Sequence, residues 1–289
     1  MQILLSIAVD AIAYGMVLFI ISIGLSVTMG LMRVANLAHG AFAMIGGYVA
    51  SYAIRDLGLG YGVAIAVAVA VAVVAAIPLE LIYRRIYGTT DALVHALMTI
   101  AITFIIIGAT NFIFGPSLKP VPLPAFLSGP VDLGFRTVAA HRIFVIVCGL
   151  TVAGGLWLLI DWTDFGIRLR ASVDNAAMAG ALGIRTEVIY AVSFALSVAL
   201  GAFGGVVGAE MLPIDPFYAM RYMVTFLVVV SVGGAGSIPG ALLAALLLGF
   251  VDTTGKYLFP EFGEFFFYLA VIGVVFLFPR GLLGRRHWQ

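Results

Sequence analysis

The sequence predicts an all-α polytopic membrane protein with about eight membrane segments, including broken or re-entrant helices, in two pseudo-repeated halves. Three observations predict this class. The 289 residues are 63% hydrophobic and 10% charged, whereas a soluble domain carries about 25% charged residues. Long apolar runs recur along the whole chain, and two apolar regions are interrupted by Gly-containing turns. We therefore expect residues 1–289 to form a single transmembrane domain.

A helix needs about 20 consecutive apolar residues to cross the hydrocarbon core. The runs that meet this length are 11–32, 61–83, 92–114, 142–160, 188–208 and 263–279. Two other apolar stretches do not fit the same template. Residues 41–54 are too short, and residues 222–252 are divided by GGAGSIPG at Gly233–Gly240.

Arginine is concentrated in three of the polar segments, and positive charge marks the cytoplasmic side of a membrane protein. These arginines are Arg84, Arg85, Arg168, Arg170, Arg185, Arg280, Arg285 and Arg286. The turn at 84–91, the loop at 161–187 and the C-terminus are therefore predicted to be cytoplasmic. The Pro- and Gly-rich loop at 115–141 is predicted to be an ordered cap outside, while the side of the N-terminus stays open.

This orientation requires residues 222–252 to begin and end on the same face. About twelve apolar residues precede the GGAGSIPG turn and about fourteen follow it, so each arm reaches roughly 20 Å, which is less than the roughly 30 Å core. The stretch is predicted to be a re-entrant or broken-helix hairpin. Irregular backbone at this depth is tolerated only inside protein or beside a polar cavity.

A second interruption, NLAHG at residues 36–40, precedes the short helix predicted at 41–54. Broken segments in corresponding positions of two halves indicate a substrate pathway at the repeat interface. We therefore expect the interruption to expose backbone polar groups to a translocation path. The alternative, equally weighted for these two side chains, is that Asn36 and His39 are buried polar residues that join helices.

Several classes of function are disfavoured by what the sequence lacks. The predicted spans contain almost no ionisable residues, which argues against ion-coupled transport. The four histidines are scattered and Cys148 is the single cysteine, so no metal site or disulfide framework is expected. The nearest P-loop-like stretch, Gly249–Tyr257, has the wrong spacing and a Tyr where Ser or Thr is required. A net charge of +1 predicts no nucleic-acid partner.

The cytoplasmic loop at 161–187 contains a short predicted helix of about two turns. Asp174 is the expected N-cap, and Gly183 is the expected C′ residue with Ile184 as its apolar contact. The exposed face is predicted to carry Ala, Gly and Met, which let another protein surface approach closely. This favours a docking element over an ordinary interfacial loop with cytoplasmic arginines.

Three patterns in the chain resemble one family. They are NLAHGAFAMIGGY (Asn36–Tyr48), RASVDNAAMAGALGI (Arg170–Ile184) together with VGGAGSIPGALLAALLLG (Val232–Gly249), and FPRGLLG (Phe278–Gly284). In order and spacing they resemble the permease subunits of branched-chain amino acid ABC importers, of the high-affinity leucine, isoleucine and valine type. The resemblance covers essentially the whole chain.

The resemblance implies a multi-pass subunit of the bacterial inner membrane, surrounded by lipid, that moves branched-chain amino acids into the cell. It implies a second homologous permease chain, two ATP-binding cassette subunits and a periplasmic substrate-binding protein as partners. ATP is then bound by those partner subunits. The chain itself is expected to be neither an enzyme nor the holder of a cofactor.

The resemblance also implies two sets of site residues. The coupling segment that docks on the ATPase comprises Arg168, Arg170, Ala171, Asp174, Asn175, Gly180, Gly183 and Ile184. The hypothetical path-lining set comprises Asn36, His39, Gly40, Gly233, Gly234, Gly236, Ser237, Pro239 and Gly240. Position 177, often acidic in the family, is Ala177 here, so the individual coupling contacts stay open.

Other functions are also compatible with the sequence. Importers of urea or short amides have very similar permeases, including an NLAHG-like motif. A passive channel for a small solute can also use re-entrant half-helices, but it has no need of a docking loop. An ion-coupled carrier and a purely structural membrane subunit are disfavoured further.

Overall fold

The computed structural model describes residues 2–32, 36–86, 92–132, 134, 137–278 and 281–283. Within those residues it contains twelve helices and one antiparallel hairpin, and the predicted class of all-α polytopic membrane protein is confirmed. The elements are α1 (Gln2–Met32), α2 (His39–Arg55), α3 (Tyr61–Ile86), α4 (Ala92–Phe114), α5 (Ala125–Ser128), β1 (Pro130–Asp132), β2 (Thr137–Ala139), α6 (Ala140–Asp161), α7 (Asp164–Asp174), α8 (Ala176–Ala181), α9 (Thr186–Val207), α10 (Tyr218–Gly233), α11 (Ile238–Leu258) and α12 (Gly263–Leu277). Of these, α1, α3, α4, α6, α9 and α11 are long and apolar enough to cross a membrane.

The first helix lies at the centre of the bundle, where it packs against α6, α9, α10 and α11. Four consecutive side chains in it, Leu18 to Ile21, are fully buried. Consecutive positions point to every side of a helix, so α1 is enclosed by protein all round. The close crossing of α1 and α11 brings Gly249 against the backbone of Gly15. Such small residues let two membrane helices approach closely and gain dispersion contacts.

Contacts along α1 show which helix ends share a face of the molecule. Near its start, Asp10 forms an ion pair with Arg142 at the beginning of α6, and it accepts a 3.1 Å hydrogen bond from the hydroxyl of Tyr257 at the end of α11. Near its other end, Ser26 Oγ accepts a 3.0 Å hydrogen bond from the backbone N–H of Gly236. We name these the outer end and the inner end, following the predicted arginine distribution, and α1 therefore begins at the outer end.

The loop between α4 and α6 is folded against the outer end, as expected for an ordered cap. It contains α5 and the β1–β2 hairpin. The hydroxyls of Tyr48 and Ser51, both on α2, donate to the carbonyl oxygens of Ser117 and Pro120 at 3.1 and 2.9 Å. These bonds fasten the cap to α2.

Several of the arginines from which the orientation is predicted lie outside the described part of the chain. These are Arg280, Arg285 and Arg286, together with the side chains of Arg84 and Arg85. The three arginines of the 161–187 loop, Arg168, Arg170 and Arg185, are described and lie at the inner end with α7 and α8.

The predicted lengths of the two arms around GGAGSIPG are wrong. The arms around GGAGSIPG have 16 residues in α10 and 21 in α11, so α11 reaches about 32 Å and is long enough to cross completely. The turn lies beside Gly30, near the inner end of α1. The last helix, α12, begins at Gly263 as predicted and has 15 residues, about 22 Å. Apolar composition alone did not reveal that α11 continues through Asp252 and Lys256, which pair with each other.

Candidate translocation and coupling sites

The NLAHG interruption is a tight turn that leads directly into α2. The side-chain oxygen of Asn36 accepts a 3.1 Å hydrogen bond from the N–H of Ala38, while its carbonyl accepts a 3.2 Å bond from the N–H of His39. Asn favours such turns because its side chain can replace a backbone acceptor. The residue is 1% exposed, so the turn is enclosed by the surrounding helices.

The imidazole of His39 joins α2 to two other helices. Its Nε2 lies 2.8 Å from the carbonyl oxygen of Ile21 on α1. A carbonyl can only accept, so Nε2 carries the proton. On the other side Nδ1 lies 3.4 Å from Ser197 Oγ of α9, and Ser197 donates to the carbonyl of Gly24 at 2.7 Å. This arrangement supports the helix-joining interpretation of His39.

The GGAGSIPG turn is built from left-handed glycines followed by a helix cap. Gly234 and Gly236 have φ values of 91° and 82°, a region that side chains other than Gly rarely enter. Ser237 is the N-cap of α11, and its hydroxyl accepts a 3.1 Å hydrogen bond from the N–H of Gly240. Pro239 lies in the first turn of α11, where its missing N–H costs nothing. The turn therefore ends α10 and starts α11 within four residues.

The two ends of this turn are held together by glycine contacts and by the C-terminal segment. Gly240 packs directly on the carbonyl of Gly233. The N–H of Leu282 donates to the carbonyl of Val232 at 2.6 Å, which satisfies one of the carbonyls left open at the end of α10. Gly281, with φ 81°, packs against Gly234. The described residues of the FPRGLLG motif thus cap the C-terminal end of α10.

Both predicted path segments contact the inner half of α1. The NLAHG segment meets it through His39 at Ile21 and Gly24, and the GGAGSIPG turn meets it at Ser26 and Gly30. Gly40 packs instead on Ala219, at the start of α10. Sequence reasoning missed Ser26 and Ser197, which are small polar residues among the mostly apolar residues of α1 and α9. That all nine residues line a path stays a prediction.

The predicted coupling segment forms two short helices at the inner end. The hydroxyl of Thr163 caps α7. Arg170 Nη1 donates to the carbonyl of Ile160 at 2.5 Å and lies 3.3 Å from Asp161 Oδ1. The hydroxyl of Tyr190, on α9, donates to the carbonyl of Ser172 at 2.7 Å. These contacts anchor α7 to the ends of α6 and α9, so its position depends on both helices.

The N-cap predicted for the second short helix is wrong by one residue. Asp174 is the last residue of α7, and the cap of α8 is Asn175, whose side chain accepts a 2.9 Å hydrogen bond from the N–H of Met178. Asn175 has an extended backbone, with φ −154° and ψ 94°, so the chain breaks between α7 and α8 at this residue. The sequence predicted one helix of about two turns with Arg168 and Arg170 before it, so α7 was not predicted as a separate helix.

The predicted end of α8 is confirmed. Gly183 has φ 84°, and the N–H of Ile184 donates to the carbonyl of Ala179 at 3.0 Å. This is the bond of a Schellman cap. Met178 and Leu182 project from the helix, with 59% and 76% of their surface exposed. Together with Gly180, which has no side chain, they give α8 an exposed apolar face.

The fold and these segments define a multi-pass α-helical membrane protein with an exposed apolar segment at its inner end. The chain belongs to the branched-chain amino acid transport system permease component family, whose model matches residues 7–277. It is a protein of the cell inner membrane, and its family is that of permease subunits of ABC importers. Proteins of this kind are transport permeases, not enzymes.

Curated relatives match nearly the whole chain. The high-affinity branched-chain amino acid transport system permease protein BraD of Pseudomonas aeruginosa is 28% identical over 96% of this chain and 94% of its own length. LivH of Escherichia coli, with the same description, is 25% identical over the same shares. The probable branched-chain amino acid transport permease protein LivH of Methanocaldococcus jannaschii is 28% identical over 95% of this chain and 90% of its own length. No solved structure gives a significant match.

Proposed function

We propose that this chain is a permease subunit of an ATP-driven importer that moves branched-chain amino acids into the cell. The family match over residues 7–277 carries this proposal, and the descriptions of its relatives support the cargo. Importers of urea or short amides remain the alternative cargo. A passive channel is disfavoured by the exposed docking element at the inner end.

The proposed machine contains four further subunits or proteins of three kinds. A second homologous permease completes the membrane pathway, two ATP-binding cassette subunits lie beneath it, and a periplasmic substrate-binding protein delivers the cargo. ATP binds to the cassette subunits, and this chain acts without a cofactor of its own. Selectivity then rests largely with the binding protein.

In this proposal α7 and α8 act as a lever: they move with the ATPase subunit and transmit that movement to the membrane helices. The exposed Met178 and Leu182 side chains enter an apolar cleft of the cassette subunit, and Gly180 and Gly183 let the two surfaces approach closely. Arg168, Ala171, Asp174, Asn175 and Ile184 belong to the same segment. Arg170 transmits the movement, because it joins α7 to the end of α6.

Alternating access then results from rocking of the helices around the inner half of α1. The NLAHG and GGAGSIPG segments both contact that half. Movement of α7 relative to α6 and α9 changes the spacing of the helices that enclose these segments. The proposed path passes between this chain and the second permease.

Uptake by cells in which this chain is deleted and restored tests the proposal. Labelled leucine, isoleucine, valine and urea are compared with and without ATP depletion. We expect restored, ATP-dependent uptake of the three amino acids. Restored uptake of urea alone would change the cargo, and flux that survives ATP depletion would overturn the importer.

The coupling role is tested by Arg170→Gln. We expect uptake to fall severalfold while ATP hydrolysis by the assembled complex continues, since the Ile160 and Asp161 contacts are weakened by loss of the guanidinium. Arg185→Gln is the matched control, because Arg185 is an exposed inner-end arginine at the start of α9. Equal uptake in the two variants would contradict the proposed lever.

A further inference from the structure

A cavity of about 500 Å³ opens between the outer halves of α1, α10, α11 and α12. This volume lies within the range of about 300–1,000 Å³ that is usual for small-molecule sites. The cavity is separate from the NLAHG and GGAGSIPG segments, which contact the inner half of α1. Its walls carry charged groups of both signs, and neither sequence reasoning nor the family resemblance assigned it a role.

The charged groups lie below the outer surface of the bundle. Lys256 and Asp252 are two and six residues before the end of α11, which places them about 3 and 9 Å from that end. Arg221 lies in the first turn of α10. Charged side chains at membrane depth face a polar cavity or another protein rather than lipid. The cavity is therefore a polar compartment in the outer half of the bundle.

Each cation is positioned by one carboxylate while remaining accessible. Lys256 Nζ lies 2.7 Å from Asp252 Oδ2, and Arg221 Nη1 lies 2.6 Å from Asp215 Oδ2. About half of each cationic side chain, 50% for Lys256 and 55% for Arg221, is nevertheless exposed. Ammonium and guanidinium groups have several N–H donors, so each can bind another anion beside its present partner.

The remaining walls combine apolar and hydroxyl groups. Met211 and Phe267 supply apolar surface, and Thr225 supplies a hydroxyl. The Lys256 ammonium also lies 5.7 Å from the centre of the Tyr14 ring, a distance at which a cation is attracted to the ring face. Apolar surface together with charges of both signs suits a small molecule that has an ammonium group, a carboxylate and an aliphatic side chain.

We propose that this cavity binds the zwitterionic backbone of a free aliphatic amino acid on its way into the membrane. Arg221 and Lys256 hold the carboxylate, and Asp252 exchanges the ammonium of Lys256 for that of the ligand. The aliphatic side chain lies toward Met211 and Phe267. The inference rests on the proposed function and sharpens it, because urea and other neutral amides make no use of paired charges.

The test measures occupancy of the cavity rather than transport. Cys148 is the only cysteine, so Cys148→Ala with Thr225→Cys leaves one thiol in the cavity wall. Membranes containing the complete importer are treated with a water-soluble thiol reagent. We expect L-leucine to slow modification, and leucinamide, 4-methylpentanoate and urea to do so about tenfold less effectively or worse, since each lacks one or both charges. Met211→Cys replaces Thr225→Cys if the latter fails to restore uptake.

Charge variants in the same background identify the groups responsible. Arg221→Gln and Asp252→Asn are each expected to raise the leucine concentration for half-protection about tenfold or more. Arg55→Gln, an exposed cation at the outer end of α2, is expected to leave it unchanged. Lys256→Arg, which keeps the charge, is expected to retain protection.

The outcomes separate this inference from the proposed function. ATP-dependent leucine uptake without protection by leucine would overturn the cavity assignment and leave the importer intact. Equal protection by urea or leucinamide would overturn the recognition of a zwitterion. The absence of any ATP-dependent amino acid uptake would instead overturn the proposed function.

Discussion

Single buried hydroxyl and imidazole groups join the helices of this protein at defined points. Ser197 and Ser193 are both fully buried on α9, yet they differ in what they bind. Ser197 donates to Gly24 on α1 at 2.7 Å, whereas Ser193 donates to Ile189 of its own helix at 2.8 Å. Burial alone therefore does not distinguish a bond between helices from one within a helix.

This pair gives a matched test of one contact between α1 and α9. Ser197→Ala is expected to reduce stability by about 0.5–1.5 kcal/mol, because a hydrogen bond between α1 and α9 is lost. Ser193→Ala is expected to cost less, since its bond lies within α9 and joins no two helices. Thermal unfolding of the two purified variants in detergent measures the difference. Equal unfolding temperatures would contradict the interhelical role of Ser197.

The N-cap of α8 also depends on a single residue, Asn175. Asn175→Ala removes the acceptor for the N–H of Met178 and is expected to destabilise α8 by about 1 kcal/mol. Since a helix of six residues has little other support, uptake should fall severalfold. Asn175→Asp keeps the acceptor and is expected to retain most uptake. Loss of uptake in both variants would show that Asn175 acts through something other than capping.

At the scale of elements, turns decide which helices cross the membrane and where they meet α1. GGAGSIPG separates a helix of 16 residues from one of 21 and places Gly236 against Gly30. The NLAHG turn likewise starts α2 beside α1 and α9. Both turns are therefore defined by long-range packing as well as by their own residues.

A comparison of two glycines isolates that packing. Gly236 and Gly115 both have φ of 82°, but a Cβ on Gly236 meets Gly30 at 3.0 Å, whereas one on Gly115 meets nothing within 4 Å. Gly115→Ala is expected to cost about 1–2 kcal/mol from backbone strain alone. Gly236→Ala adds overpacking of about 1–3 kcal/mol. Chemical or thermal unfolding in detergent measures both, and equal losses would contradict a tight contact with α1.

At the scale of the whole molecule, the charges of the described residues define two unlike ends. The outer end has the ion pair of Asp10 with Arg142 and the cap over α2. The inner end has α7, α8 and their arginines. Because Asp10 of α1 pairs with Arg142 at the start of α6, the orientation predicted from the arginines places the first residues of α1 outside, a point that the sequence alone left open.

Cysteine accessibility tests this orientation in intact cells. In a Cys148→Ala background, Leu5→Cys at the outer end of α1 and Phe126→Cys in the cap are expected to react with a membrane-impermeant thiol reagent. Met178→Cys on α8 is expected to react only after the membrane is permeabilised. All three side chains are exposed, so accessibility reports the side of the membrane. Reaction of Met178→Cys in intact cells would reverse the orientation.

By itself the sequence determined the class of the protein, because the free energy of placing apolar residues in hydrocarbon depends on composition and length. It also located both broken segments and the polar loop at 161–187, since Gly, Pro and Asn act through local backbone preferences. The Gly183 cap was predictable for the same reason. Asn175 was not identified as the cap, because Asp174 and Asn175 have similar local preferences.

Only the tertiary structure decided which partners the polar groups have. The bond from Ser197 to Gly24 joins residues 173 positions apart, and the outer cavity brings Arg221 together with Lys256 from different helices. The full length of α11 was hidden because Asp252 and Lys256 interrupt its apolar pattern, although each neutralises the other. Such pairings depend on how the helices pack around α1, and no local preference specifies them.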